Sequence, residues 1–273
     1  MPVKKFELTS ESMEFDGCTI LHRIKALVDF DCVKAGELGG WIEKEENLSY
    51  FGNAWLRDNA KVYGGGKVDG DAVVKDNAVV KDNAVVKDNA FVYGDVMVED
   101  NAVVGDRVCV GENAVVKDNA EVGGRAVIKD NAVVKDNAVV KDNAWIEDNA
   151  VVGGRAVVKD NAEVGGRADV GGDTEVINDA NICGDAVLRS TADYATVKGF
   201  AMGFCPMFLT TTFFRIPLQN GGVGVSGDHL HHSYGTLAEF REIVRETYPP
   251  YDTKREECLM LADLMELHFG ADG

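Results

Sequence analysis

Three observations predict that this chain folds as an all-β solenoid of about eight 18-residue coils. The block Ala72-Val73-Val74-Lys75-Asp76-Asn77 recurs unchanged at Ala78 and again at Ala84. Read in steps of six from Ala54 to Ala192, the first residue is Ala except at Gly66, Val96, Val108 and Thr174, and the third is aliphatic from Leu56 to Leu188. The last three residues of each hexad have turn composition, typically Lys-Asp-Asn or Gly-Gly-Arg. In an extended segment the first and third side chains share one side and the second points the other way. Asp, Asn and Gly accept the left-handed dihedrals of a corner. Each hexad is therefore a short strand and a corner, and three of them close a triangular coil. Coils stacked ~4.8 Å apart give a prism about 38 Å long.

The elements follow in order. Phe6-Glu7-Leu8 and Met13-Glu14-Phe15 precede Asp16-Gly17, and Cys18 to Ile24 follows, the pattern of a hairpin on a two-residue turn. Trp41-Ile42 falls out of phase with Trp55-Leu56, which marks an irregular first coil. Residues 1–47 form an N-terminal β cap with that coil, and residues 48–191 form the array. After Thr191 the period fails, and residues 192–273 read as an α+β cap. There, Phe213 to Ile216 and Gly222 to Val225 form a hairpin around Gln219-Asn220-Gly221. Thr236 with Glu239, and Thr253 with Glu256, are capping-box patterns that open two helices, the first running to about Thr247 and the second to Gly270. A solenoid needs such caps, because a bare end coil exposes both core and strand edge.

An aliphatic followed by Gly, Lys or Glu, then two more residues and Ala or Val, as in Val74-Lys75-Asp76-Asn77-Ala78 and Val104-Gly105-Asp106-Arg107-Val108, resembles the hexapeptide-repeat superfamily. That resemblance implies a left-handed parallel β-helix. The head, Leu21 to Leu27 and Gly39-Gly40-Trp41-Ile42 to Ser49, and the tail from Thr210 to Phe269 resemble phage and prophage β-helix proteins of unknown function, among them the YdcK-like group labelled transferases by fold. The acyltransferases of the superfamily use a histidine near the coils, a loop extruded from one coil and trimer clefts for an acyl carrier. Residues 54–191 hold no histidine and no break in period long enough for such a loop, so no catalytic residue carries over.

The net charge of −18 is spread along the chain without an acidic tail. It disfavours direct binding to nucleic acid or anionic membranes, which needs basic patches. Six cysteines without a CxxC pair, and no leader-like or long apolar run, point to a reduced, cytoplasmic protein. Asp228, His229, His231 and His232 are the densest set of candidate ligands, and alternation puts His229 and His231 on one side of a strand. Spacing fixes no third ligand, so neither a metal nor another cofactor is expected. The paired glycines at 64–66, 123–124 and 165–166 fall at corners, as does the Asn series at 77, 83, 89 and 113 onward, and both are read as structure.

The outward second residue of each hexad should be polar on an isolated solenoid. Sorted every eighteen residues, one face reads Trp55, Val73, Phe91, Cys109, Val127 and Trp145. The next reads Val79, Met97, Val115, Val133 and Val151 between Lys61 and Asp169. The third, Val85, Val103, Glu121, Val139 and Val157, is broken by a charge. Such ladders are expected to be buried in a homodimer or trimer, the Trp55 face before the Val79 face, because aromatics dominate interfaces. The expected function is a non-catalytic solenoid that self-assembles and binds a protein partner, phage-encoded and directed at a host system by the resemblance. An acyltransferase and an acidic mimic of nucleic acid are the alternatives.

Overall fold

A computed structural model describes residues 4–184, 186–190, 196–197, 200–204, 211–214, 223–227, 230–235 and 237–269. The hexads form two-residue strands that stack in parallel with an 18-residue step, giving about eight coils with three sheets as faces. In each hexad the first and third residues point inward: Ala78, Val80, Ala84 and Val86 are fully buried, and the same holds along the array. Between coils the second, fourth and sixth N–H groups donate to the following coil, as Val79 to Val96 O at 2.9 Å, Lys81 to Val98 O at 3.0 Å and Asn83 to Asp100 O at 2.7 Å. The backbone polar groups are thus paired without any long strand.

The corner explains the Asp-Asn pair. The fifth residue is left-handed at turn after turn, with Asp118 at φ 59° and Gly94 at φ 84°. At most of the Asp corners the carboxylate accepts from the N–H of the corner in the following coil, as Asp136 N donates to Asp118 Oδ2 at 3.1 Å. The sixth residue builds the amide ladder expected from the sequence: Asn101 Nδ2 donates to Asn119 Oδ1 at 3.1 Å, and Asn119 Nδ2 to Asn137 Oδ1 at 3.3 Å. Asp is therefore suited to its position twice over, since its dihedral tolerance and its carboxylate both serve the corner.

At the N-terminal end, β1 (Phe6–Phe15) and β2 (Thr19–Ala26) form an antiparallel hairpin over Asp16 and Gly17, both at positive φ. This hairpin continues the second face through β3 (Leu38–Ile42). Trp41 pairs with Lys61, and Leu48 bridges Val68, a step two residues longer than the eighteen of the array. The extra residues sit at the Ser49 to Asn53 corner, and they account for the phase shift of Trp41-Ile42. Lys5 ties the hairpin down: buried, it donates to Ala54 O at 3.0 Å. Burial lowers its pKa to about 8, partly offset by Asp69 and Asp71.

At the other end the step lengthens where the period fails in the sequence. Glu175 pairs with Thr196 and Asn181 with Phe200, where eighteen residues would give 193 and 199. Antiparallel strands Thr211–Phe214, Val223–Gly227 and Leu230–Gly235 extend the first face. The expected hairpin is present, with Phe213 opposite Val225, while its turn lies outside the described residues. The helices run Leu237–Thr247 and Thr253–Phe269; Thr236 lies outside the described residues. Val244, Tyr248, Cys258 and Ala262 are buried, and Arg241 bridges the helices to Asp263 at 2.8 Å and Glu266 at 2.5 Å. Among the described residues no helix is long and apolar enough to cross a membrane.

Candidate functional site

With the interior and corners alike on all three sides, the outward columns are what distinguish the faces. The first face departs from expectation at its head. Trp55 is 1% exposed and not available to another molecule. The N-terminal cap covers it: the Phe30 ring meets it edge-on at 5.4 Å, and a Cβ on Gly39 would lie 2.6 Å from its ring. The hexad period shows which way a residue points, but not that a segment outside the array folds back over it. Phe91 and Trp145 stand out at 38% and 41% exposure, with Val73, Cys109 and Val127 half-buried between or beside them.

The array's own lysines shade these aromatics. Lys75 lies over Phe91 at 5.4 Å and Tyr93 at 5.6 Å, and Lys129 lies over Trp145 at 5.6 Å while pairing with Glu147 at 3.0 Å. Tyr93 packs against Phe91 and occupies the space over Gly111, where a Cβ would come within 2.2 Å of its ring. Below it, Glu112 stands where most hexads carry Asp, stacked on Asp130. The neighbouring Asp130 carboxyl pushes the Glu112 pKa up, while the Asp148 N–H holds that of Asp130 down. Burial raises the Cys109 thiol, so it is not poised as a nucleophile.

The second face is plainer. Val79, Met97, Val115, Val133 and Val151 stack in register, each half-buried by its neighbours. Lys61 stands above Val79 and Asp169 below Val151. The flank carries Tyr63, Lys81, Glu99, Lys117 and Lys135, and Lys81 meets Glu99 at 3.0 Å, a contact that raises the Lys81 pKa. The tip of the hairpin overhangs the top of this face, where the Phe15 ring lies 5.7 Å from Tyr63 and 5.0 Å from the Lys61 ammonium.

The third face carries Val85, Val103, Glu121, Val139 and Val157, and Gly105 and Gly123 open a hollow of about 340 Å³ at its edge, between Lys87 and Lys141. A second hollow, of about 370 Å³, lies at the long corner of the first coil beside Tyr50, Phe51 and Lys67. Sequence reasoning missed both hollows, although the missing fourth side chain at 105 and 123 marks the first of them. Of the histidine cluster, His231 and His232 are on the strand Leu230–Gly235, and His229 lies outside the described residues. Among the described residues no three metal-ligating side chains converge.

No protein-family model matches the chain. Over 71 residues, 23% of this chain, it is 39% identical to the uncharacterized acetyltransferase YdcK of Escherichia coli (strain K12). The match spans 22% of that relative's length. The relative and the stacked coils together fit a hexapeptide-repeat β-helix family.

Proposed function

We propose that the protein is a non-catalytic solenoid scaffold that self-associates through an outward face and offers its remaining surface to a protein partner. The observation that carries this reading is the second-face ladder, five outward apolar side chains in strict register on a surface that charge would otherwise occupy. Contiguous apolar strips of this kind mark interfaces more often than they occur on monomers. The first face offers a shorter strip, because Trp55 is buried within the chain, while Phe91 and Trp145 stay 38% and 41% exposed with Lys75 and Lys129 against their rings. Sedimentation of the purified protein at tens of micromolar tests the reading. A dimer or trimer supports it, and a monomer refutes it.

A second reading, acyl transfer, is favoured by the name of the relative, an acetyltransferase. It meets a chemical difficulty in the coils: residues 54–191 contain no histidine to serve as base, and the Cys109 thiol is held protonated by burial. A thiol-release assay with acetyl-coenzyme A over common amine and hydroxyl acceptors separates the two. Saturable release that a single histidine substitution abolishes would make the protein an enzyme.

A further inference from the structure

On all three faces a lysine at the fourth place of a hexad lies down over the following coil. Lys75 reaches the Phe91 and Tyr93 rings, Lys81 meets Glu99 at 3.0 Å, and Lys129 meets Glu147 at 3.0 Å beside the Trp145 ring. On the third face, Lys87 Cε lies 3.2 Å from where a Cβ on Gly105 would stand. Each of these ammonium groups also lies near the Asp that follows it: Asp76 at 3.5 Å, Asp82 and Asp88 at 3.8 Å, and Asp130 at 3.6 Å. A lysine of this array therefore rests between its own corner carboxylate and a residue of the next coil.

One such berth is built without its lysine. Gly105 stands at the fourth place, and Gly123, next in the same column, adds no side chain to fill the space, which is the hollow of about 340 Å³. Asp106 follows Gly105 as Asp76 follows Lys75, and its Oδ2 lies 3.0 Å from where a Cβ on Gly123 would stand. Apart from the chain neighbours of Gly123, no other atom comes within 4 Å of that point. Glu121 stands sixteen residues after Gly105, as Phe91 does after Lys75 and Trp145 after Lys129. It is thus the residue on which a lysine at 105 would lie. Glu121 is exposed and makes no ion pair among the described residues.

We propose that this hollow receives the side chain of a lysine presented by a protein partner, with the ammonium group between Asp106 and Glu121 and the methylenes against Val103 and Val139. The inference deepens the partner-binding half of the reading above and does not depend on self-association. Asp88, Asp106, Glu121 and Asp142 line the hollow against Lys87 and Lys141, and the chain as a whole carries −18, so charge favours a cationic guest. A lysine suits the lining because its stem packs on apolar surface while its head stays with the carboxylates. The volume is at the low end for ligand pockets, enough for one side chain and not for a larger molecule. Val85 and Val157 continue the column on either side and give the partner's chain apolar surface to rest on, which a free amine would not use.

Nuclear magnetic resonance of the full chain with isotope-labelled valine methyls tests the site. Titration with n-butylammonium, a lysine side chain without its backbone, is expected to shift the Val103 and Val139 methyls and to saturate in the millimolar range. A capped Gly-Lys-Gly peptide is expected to shift the same methyls with at least equal affinity. Glu121→Gln is expected to weaken both about fivefold, the size of one exposed ion pair. Gly105→Lys supplies the chain's own lysine, and its Cβ meets only the ends of the Asp88 and Lys87 side chains, so it is expected to abolish both shifts with the other methyl signals unchanged. Equal shifts with n-butanol, undiminished binding in Glu121→Gln, or shifts that survive in Gly105→Lys would overturn the site. Binding of butylammonium without the peptide would overturn the protein partner as its source. No shift with either probe would overturn the whole proposal and leave self-association, which sedimentation reads separately, untouched.

Discussion

Replacing Asp118 separates the two reasons for Asp at a corner. Its backbone is left-handed, and its carboxylate accepts from Asp136 N at 3.1 Å. Ala loses both: an L-residue without a local polar partner is strained there by about 1 kcal/mol, and losing a partly exposed charge-assisted bond costs about 1 kcal/mol more. Gly loses the bond but not the dihedral. It relieves whatever strain Asp retains and adds about 0.5 kcal/mol of unfolded-state entropy, for a net cost near 1 kcal/mol. The expected order of stability is therefore Asp, then Gly, then Ala, with steps of about 1 kcal/mol. Urea unfolding followed by far-ultraviolet circular dichroism measures it, provided the transition is a single cooperative one. Ala as stable as Gly would refute the backbone part of the reasoning. Gly equal to wild type would refute the carboxylate part.

Three further outcomes follow from other positions. Glu112→Gln should raise the melting temperature at pH 7, because Asp130 raises the Glu112 pKa and folding therefore favours its neutral form; the gain should fade as the pH falls through that raised pKa, and a pH-independent gain would contradict it. Lys5, at about 8 in the fold and 10.5 in the unfolded chain, binds more protons when unfolded between those values. The wild type should thus gain stability across that window relative to Lys5→Met, and parallel pH curves would refute this. Gly94→Ala should be more damaging than a typical surface change, by at least about 2 kcal/mol, since it combines a left-handed φ of 84° with a Cβ 2.6 Å from Glu112 O; unchanged stability would mean that the corner can open.

The repeat was legible because two constraints recur at every hexad. An inward position admits only Ala or a β-branched aliphatic of fixed size, and a left-handed corner admits Gly, Asp or Asn. The Asp16-Gly17 hairpin and the two helices were legible for the same reason, since their signals are local. What escaped was non-local. Nothing in the period reveals that Phe30 and Gly39 fold over Trp55, or that Lys75 and Lys129 reach one coil along to lie on Phe91 and Trp145. These are contacts across a change of period or between coils, and they take Trp55 out of the surface on which the sequence had placed it.

Inward and corner residues are set by the fold, so they read alike on all three faces and say nothing about what the protein does. Function has to be sought in the positions that vary, above all the outward second and fourth residues of the hexads. On the third face those positions hold Glu121 and two glycines, and the surface is broken into charge and hollow. On the first they hold Trp55, which the cap buries, and Phe91 and Trp145, which stay 38% and 41% exposed beside Lys75 and Lys129. On the second they hold five successive apolar side chains between Lys61 and Asp169, in a sheet that runs on to Trp41 at one end and Val187 at the other. Val serves a strand well on any face, so what sets the second apart is the unbroken run of five, where Glu121 interrupts the third. Such a strip leaves water only when another surface lies on it, which is why the oligomeric state is the measurement that decides the reading.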